Sequence, residues 1–376
     1  MQRDTSGKKL KTLRHISQIS LVALVVYLGF RHQYGTGISP LDSYCPLGGV
    51  ESLYTWVTTG KMLPKTGFSN FILLGTLITV TLAAGGVFCG WFCPVGTVQD
   101  WLYVLRRKVV KAPIQMPRKL DKGLRGLKYV VLILVLGFTI QGVTLWFADY
   151  DPFKALFAFE LKNPVTYVVL GLTIVFSLLV ERFWCKYLCP LGAILAPLAK
   201  LGILQVSKTE ACSQCNTCLN GCPMGLSAIG ELGCVNCMEC VSSCHKPQAT
   251  VVQLGKIKRP LAHGLVPVTG VLLGVGLVLG SMGMGIWETR TTMSRVAIPS
   301  SIASSTSEYP PVESITGMTF LDEVAKTYDL EAGEILKKAG LDPNQDPHRP
   351  VKDITKPLGV EVESVRAAVS ELIKSK

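Results

Sequence analysis

Five apolar runs, near residues 16–30, 69–88, 127–148, 164–183 and 261–287, leave this chain few ways to fold. Most approach the roughly 20 residues that cross a bilayer core. Inside lipid a backbone must satisfy its own hydrogen bonds, so the runs are expected as five transmembrane helices. With 48% of 376 residues hydrophobic and 17% charged, an ordinary soluble globule is a poor description. The first run follows Lys8, Lys9, Lys11 and Arg14 and leads into Phe30, Arg31, His32 and Gln33, not into a small-residue cleavage site. It reads as a retained signal anchor.

The net charge of +12 is placed as a topology signal. Arg106, Arg107, Lys108, Lys111, Arg118, Lys119, Lys122, Arg125 and Lys128 sit between the second and third runs, whereas the loops at 31–68 and 149–163 carry three and two basic residues. By the positive-inside rule the N-terminus, 89–128 and 184–260 are cytoplasmic, and the two sparse loops and the tail after 287 lie outside a cell membrane. Nucleic acid is not an expected partner.

With that topology the first four spans form two similar halves. Each goes out, makes a short outer segment and returns to end in Cys-x3-Cys-Pro-x-Gly: CGWFCPVG from Cys89 and CKYLCPLG from Cys185. The outer segments CPLGGVESLY from Cys45 and DPFKALF from Asp151 read as amphipathic helices lying at the interface. Helical spacing puts Cys89 and Cys93 on one face, and Cys185 and Cys189 on another, before Pro94 and Pro190 turn the chain. Thirteen cysteines less eight in the module below and the outer Cys45 leave these four, the ligand count of one further Fe-S cluster. Disulfide cycling or a transient metal are the rival uses.

The most specific signal is Cys212, Cys215, Cys218 and Cys222, then Cys234, Cys237, Cys240 and Cys244, each C-x2-C-x2-C-x3-C. This is the bacterial two-cluster ferredoxin run, in which the fourth cysteine crosses to the other cubane. Cys212, Cys215, Cys218 and Cys244 are expected on one [4Fe-4S] cluster and Cys234, Cys237, Cys240 and Cys222 on the second. Zinc sites more often use two pairs with a longer insert and His, and a cytoplasmic side disfavours disulfides. The second run continues His245, Lys246, Pro247, so its proline is displaced from the place Pro223 takes in the first.

The combination of four spans, two Cys-x3-Cys-Pro motifs and a following two-cluster ferredoxin, over about residues 10–255, resembles the NapH-type membrane ferredoxins and, more loosely, the membrane part of NosR-type proteins. The resemblance implies an electron-transfer subunit of a quinone-linked respiratory complex, with quinone as a substrate and redox subunits as partners.

The expected architecture is an all-α polytopic membrane protein with duplicated two-helix halves at 1–206, a ferredoxin module at 207–255, a fifth transmembrane helix within 256–290, a Ser/Pro-rich linker at 291–315 and an outer helical domain at 316–376. That last domain is a repeat at an offset of 30, pairing Val324 with Ile354, Leu330 with Val360 and Ile335 with Val365. Thr319 and Asp322 suggest a capping box, and the domain suits docking of an outer partner. TGMT at Thr316–Thr319 lacks the pattern for covalent flavin, and His15 and His263 make a weak case for haem, so neither cofactor is expected. Cys45, Asp149 and Asp151 are read as turn or loop residues near an outer pocket. The Gly-rich stretch at 270–285 lies inside a span, where small residues let helices pack. No nucleophile, acid/base pair or nucleotide loop competes with an electron carrier that is not itself an enzyme. The alternatives are a metal reductase or metal-centre assembly factor using Cys89, Cys93, Cys185 and Cys189, and a membrane redox sensor.

Overall fold

The computed structural model describes residues 5–34, 41–59, 66–110, 116–142, 150–157, 164–246, 249–254 and 257–287, most of 319–375, and a few isolated positions. Most of the linker, Asp149, Thr316 and Met318 fall outside them. The chain divides into two compact units, Met1–Tyr34 with Ser39–Thr291, and Gly35–Ile38 with Thr292–Lys376.

In the first unit every apolar run is met by a helix. In chain order these are α1 (Thr5–Tyr34), α2 (Pro46–Thr59), α3 (Phe68–Ala84), α4 (Pro94–Val109), α5 (Arg118–Leu124), α6 (Leu127–Gly142), α7 (Pro152–Phe157), α8 (Pro164–Leu179), α9 (Phe183–Tyr187) and α10 (Pro190–Lys200). Two one-turn helices, α11 (Thr217–Asn220) and α12 (Glu239–Ser242), precede α13 (Leu265–Gly283). Gly7–Arg31, Arg118–Gln141 and Leu265–Gly283 are long and apolar enough to cross a membrane. Helices α3 and α8 have 17 and 16 residues, or about 25 Å at ~1.5 Å per residue, against a core of ~30 Å. These two shorter helices are the ones that run into the cysteine pairs.

Both stop for local reasons. After α3, Gly85 takes φ +63°, Phe88–Phe92 forms a π-turn and Cys93 is extended (φ −71°, ψ 115°) before Pro94 opens α4. After α8, Arg182 is left-handed (φ 56°), α9 carries Cys185 and Cys189 is extended (φ −66°, ψ 112°) before Pro190 opens α10. A single helical face for each pair is therefore corrected: one thiol lies in the last turn and its partner on the extended hinge, because proline at N1 requires non-helical backbone before it. Helix α2 packs on α3, α6 and α10, and α7 packs on α1, α4 and α8, so each reaches a helix that starts at a cysteine pair.

The all-α expectation omits a three-stranded antiparallel sheet, β1 (Leu204–Lys208), β2 (Thr250–Leu254) and β3 (Ile257–Leu261), in the order β1-β2-β3 with Leu204 opposite Leu254 and Lys208 opposite Thr250. It straddles both expected edges of the ferredoxin module. Its inward residues Leu204, Val206 and Val252 join Leu10, Val80, Ala84, Val87, Trp91, Met238, Val241 and Val266 in one core. Membrane helix ends and ferredoxin loops thus share an interior.

The second unit is a helical repeat. Helices α14 (Leu321–Thr327) and α15 (Ala332–Lys338) recur 30 residues later as α16 (Val351–Thr355) and α17 (Val362–Ser375). Val324, Ile354, Ile335 and Val365 are buried together, with Leu330 and Val360 packed against them. Two reciprocal pairs of backbone bonds join the copies, Leu321 N–H to Arg349 O with Val351 N–H to Thr319 O, and Asp322 N–H to Pro347 O with Lys352 N–H to Gly317 O. The capping box is not formed: α14 follows Phe320, which gives no side-chain cap, and Asp322 accepts from the Glu323 N–H.

Candidate metal centres

The ferredoxin runs build two loops of one shape. Gln214 and Asn216 in the first, and Asn236 and Met238 in the second, all take left-handed φ, between 46° and 61°. Non-glycine residues rarely do so. At two equivalent places in each loop, this curls the chain around a centre and turns backbone N–H groups inward, a nest suited to an anionic group. Cys218 has Cys244, Cys212 and Cys215 as its thiol neighbours. Cys240 has Cys237, Cys234, Cys222 and Cys218. These neighbours include Cys244 and Cys222, the cysteines the spacing expects to cross over, and Cys240 also has Cys218 of the other set near it. Among the described residues no three His, Cys, Asp or Glu side chains converge on a single ion; in a cubane each thiolate holds a different iron, so the sulfurs stand further apart. The residues therefore fit two cubanes.

Cys212, Cys215, Cys218 and Cys244 line a surface cavity with Lys208, His245 and Lys246, and Cys215 is exposed. The other set is interior. Burial pushes the Cys237 thiol up to about 11, against the pull of Arg14 and Arg182.

The second loop is seated on the glycine-rich end of α3. A Cβ at Gly86 would lie 2.6 Å from Cys234 O, and one at Gly90 would lie 2.2 Å from Val235 O. Only glycine permits this approach. Trp91 Nε1 donates to Asn236 O at 3.0 Å, and Asn236 Nδ2 donates to Ala84 O at 2.9 Å and Leu204 O at 3.2 Å. On another side Arg125 Nη2 donates to Met224 O at 2.7 Å, while its guanidinium pairs with Asp121, which also bonds the Tyr187 hydroxyl. Cys89 packs on the same apolar group as Cys222, Cys234 and Cys237.

Cys89, Cys93, Cys185 and Cys189 form a half-buried set at matched positions. Cys93 N–H bonds Phe88 O at 2.8 Å and Cys189 N–H bonds Trp184 O at 2.9 Å. The sulfurs lie within electrostatic reach of one another, Cys189 of Cys185, Cys93 and Cys89, and Cys185 of Cys93. Cys93 and Cys189 are N-caps of α4 and α10, where helix dipole and free N–H groups favour an anion. Gly192 N donates to Cys189 Sγ at 3.3 Å, Gln99 Nε2 donates to Cys185 Sγ at 3.2 Å, and Cys93 faces the N–H groups of Val95 and Gly96. Four mutually close thiols with N–H donors at three of them fit a thiolate-bound metal centre.

Sequence reasoning missed the polar frame around these thiols. Arg182 donates from Nε and Nη2 to the two Asp100 oxygens at 2.7 Å each, and from Nη1 to Cys89 O at 2.8 Å. Arg14 bonds Asp100 at 2.8 Å, Glu239 at 3.2 Å and Gly90 O at 3.1 Å. Glu239 lies between Cys237 and Cys240, so one ion-pair network ties α1, α4, α9 and the ferredoxin loop. An adjacent Glu181 and Arg182 at the end of an apolar run was the available signal. Of the remaining candidates, Asp151 accepts from Phe153 N at 2.9 Å and lies within electrostatic reach of Cys93. Cys45 packs around the apolar cluster that also includes Cys93 and Cys189. His15 is exposed, and a ring nitrogen of His263 pairs with Thr250 O at 2.9 Å.

A family model described as a 4Fe-4S binding domain matches residues 66–113 and again 163–206, the two segments that hold the Cys-x3-Cys-Pro pairs. The ferredoxin-type protein NapH of Haemophilus influenzae is 30% identical over 260 residues, 61% of this chain and 85% of its own. YccM of Escherichia coli K12, whose name describes electron transport, is 26% identical over 313 residues, 74% of this chain and 87% of that one. The protein NirI of Paracoccus denitrificans is 36% identical over 161 residues, 42% of this chain and 23% of its own. No solved structure matches the chain.

Proposed function

The chain belongs to the family of NapH-type ferredoxin proteins and has an iron-sulfur electron-transfer role, and from that premise we propose a route for its electrons. A surface [4Fe-4S] cluster on Cys212, Cys215, Cys218 and Cys244 exchanges electrons with a redox partner. A second, on Cys234, Cys237, Cys240 and Cys222, connects it to a third Fe-S centre on Cys89, Cys93, Cys185 and Cys189, from which electrons exchange with quinone in the membrane. The clusters supply one-electron redox chemistry. The chain's own residues place them: Gly86 and Gly90 bring the ferredoxin loop onto the membrane helix, Asn236 and Trp91 fix its register, and the Arg14–Asp100–Arg182 network holds the joint.

The observation that carries this reading is the packing of Cys89 against Met224, Leu226 and Val235, the same apolar group that Cys222, Cys234 and Cys237 pack against. The double match of one 4Fe-4S family model to the two cysteine-pair segments supports both the third centre and a duplicated membrane half. In this reading five helices span the cell membrane, with N-terminus, thiol pairs and ferredoxin module cytoplasmic and the C-terminal unit outside, where it docks a partner. The helix-end cations and the apolar faces of α1, α6 and α13 support it. No observation favours a metal-assembly factor or a sensor.

The test is quinone reduction in liposomes by the anaerobically prepared, dithionite-reduced protein after excess reductant is removed. We expect reduction by the wild-type chain, and its loss in Cys93→Ser/Cys189→Ser protein whose two ferredoxin signals are intact. Equal rates in the two would remove the third centre from the route.

A further inference from the structure

We propose that Gln99 is a positioning residue of the third centre: its side-chain amide ties the two halves together and gives Cys185 an N–H···S bond that favours the reduced form. The inference rests on the third-centre reading above. Gln99 lies on α4, beyond Cys93, and is 1% exposed. Its Oε1 accepts from the Trp184 backbone N–H at 2.8 Å and from the Ser177 hydroxyl at 3.3 Å. A backbone N–H can only donate, so the oxygen of the amide must face Trp184 and its NH2 must face the other way. There Nε2 donates to Val95 O and to Cys185 Sγ, at 3.2 Å each. Both hydrogens and the oxygen are used. One side chain from the first half thus bonds α8, α9 and a thiol of the second.

The matched place in the second half holds no such group. Setting CGWFCPVGTVQ from Cys89 on CKYLCPLGAIL from Cys185 pairs Gln99 with Leu195, a buried side chain with no hydrogen to donate. Among the described residues no N–H or O–H donates to Cys89 Sγ, and Cys89 packs instead against Met224, Leu226 and Val235. Cys189 has the Gly192 N–H at 3.3 Å, a backbone donor that comes with the helix start. Cys89 and Cys185, equivalent in the duplication, therefore differ in kind. The first has an apolar setting shared with the ferredoxin thiols, and the second has a clamped donor.

The step concerned is the transfer of one electron to the third centre from the cluster on Cys234, Cys237, Cys240 and Cys222. The donor cluster is oxidised, the third centre is reduced, and no bond or proton moves. A hydrogen bond to a ligand sulfur strengthens as that sulfur gains charge, so a fixed N–H stabilises the reduced form more than the oxidised one and raises the potential. Because Trp184 and Ser177 already hold the amide in place, no reorganisation accompanies the electron. Gln99 therefore draws it to the side of Cys185.

The test compares the full-length wild-type protein with Gln99→Met, which keeps the length of the side chain and removes its N–H groups, both prepared anaerobically. The third centre is identified as the paramagnetic signal, and the iron, lost when all four of its cysteines become Ser. With heavy nitrogen in the glutamine side-chain amides, pulsed electron paramagnetic resonance of the reduced wild-type centre should show a nitrogen coupling that Gln99→Met lacks. In a redox titration the variant's midpoint should move to more negative potential, cutting the reduced-to-oxidised ratio at the wild-type midpoint about tenfold, a shift of ~59 mV for a one-electron couple. The ferredoxin midpoints should stay in place. Loss of the third centre alone from Gln99→Met, with the coupling present in wild type, would also support the role. A wild-type third centre with no amide coupling, or with the same midpoint as the variant, overturns the role of Gln99 and leaves the centre standing. Wild-type protein with no iron dependent on the four cysteines overturns the third-centre reading and this inference together.

Discussion

Replacing Gly90 by Ala places a methyl group 2.2 Å from Val235 O and 3.2 Å from Cys237 Cα, where real Cβ contacts essentially never fall below 3.0 Å. The helix side has little freedom to yield, because Gly90 O is held by Arg14 Nε at 3.1 Å and Gln18 Nε2 at 3.5 Å. The ferredoxin loop must therefore retreat by roughly 1 Å, carrying Cys237 with it, at an overpacking penalty of about 1–3 kcal/mol. A glycine-to-alanine change also gains helix propensity of up to ~1 kcal/mol, so the control is Gly137→Ala in α6, where a Cβ meets nothing within 4 Å. The difference between the variants isolates the steric term. At roughly 2–4 °C per kcal/mol for a unit of this size, Gly90→Ala should lose its Fe-S absorbance about 2–12 °C below Gly137→Ala in an anaerobic thermal ramp in detergent. Equal midpoints would mean that the loop is not seated on the π-turn, and the proposed path from ferredoxin to membrane thiols would lose its structural basis.

Changing Asp100 to Asn removes the carboxylate shared by Arg14 and Arg182, whose side chains are 7% and 0% exposed. Stranding the buried Arg182 guanidinium, with Arg14 left to Glu239 alone, should destabilise the unit by about 3–5 kcal/mol, read as a lowered denaturant midpoint, and a neutral outcome would refute a fully charged network. Cys222→Ser should perturb the spectrum of the cluster on Cys234, Cys237 and Cys240 and spare the one held by its sequence neighbours. Selective loss of the other cluster would refute the crossed assignment. In the C-terminal unit, Ile335→Ala and Ile354→Ala each delete a fully buried side chain from a different copy of the repeat. Each should cost about 2–5 kcal/mol and speed hydrogen exchange across both copies; acceleration confined to the mutated copy would contradict a shared core.

Element existence was legible where a local pattern had one reading. Runs of apolar residues gave helices, and the two C-x2-C-x2-C-x3-C runs gave two loops with left-handed residues at equivalent places, because each loop's shape is set within a few residues. The 30-residue repeat was legible because Val324 and Ile354, and Ile335 and Val365, are buried for the same reason in each copy. The sheet was not, since LQVSK and TVVQL are five residues each and pair across the whole cysteine-rich segment. Nor were the helices that α2 and α7 pack on, which depend on tertiary approach, such as Gly49 against Asn70 O. The frame of Arg182, Asp100 and Arg14 was hidden in a different way. A basic flank read only as a topology signal supplies two side chains that serve the interior: Arg14 and Arg125. Periodicity says which face is apolar, and it says nothing of which cation is drawn in by a buried anion.

The iron content of anaerobically purified protein, with and without Cys89, Cys93, Cys185 and Cys189, bears most directly on the proposal that electrons pass from a two-cluster ferredoxin into a membrane-embedded centre. Four thiolates accommodate either cluster type, so wild-type protein should hold about twelve iron atoms if the third centre is a cubane and about ten if it is [2Fe-2S]. The variant with all four replaced by Ser should fall to about eight while keeping both ferredoxin signals. A wild-type value near eight, unchanged in that variant, would contradict the account.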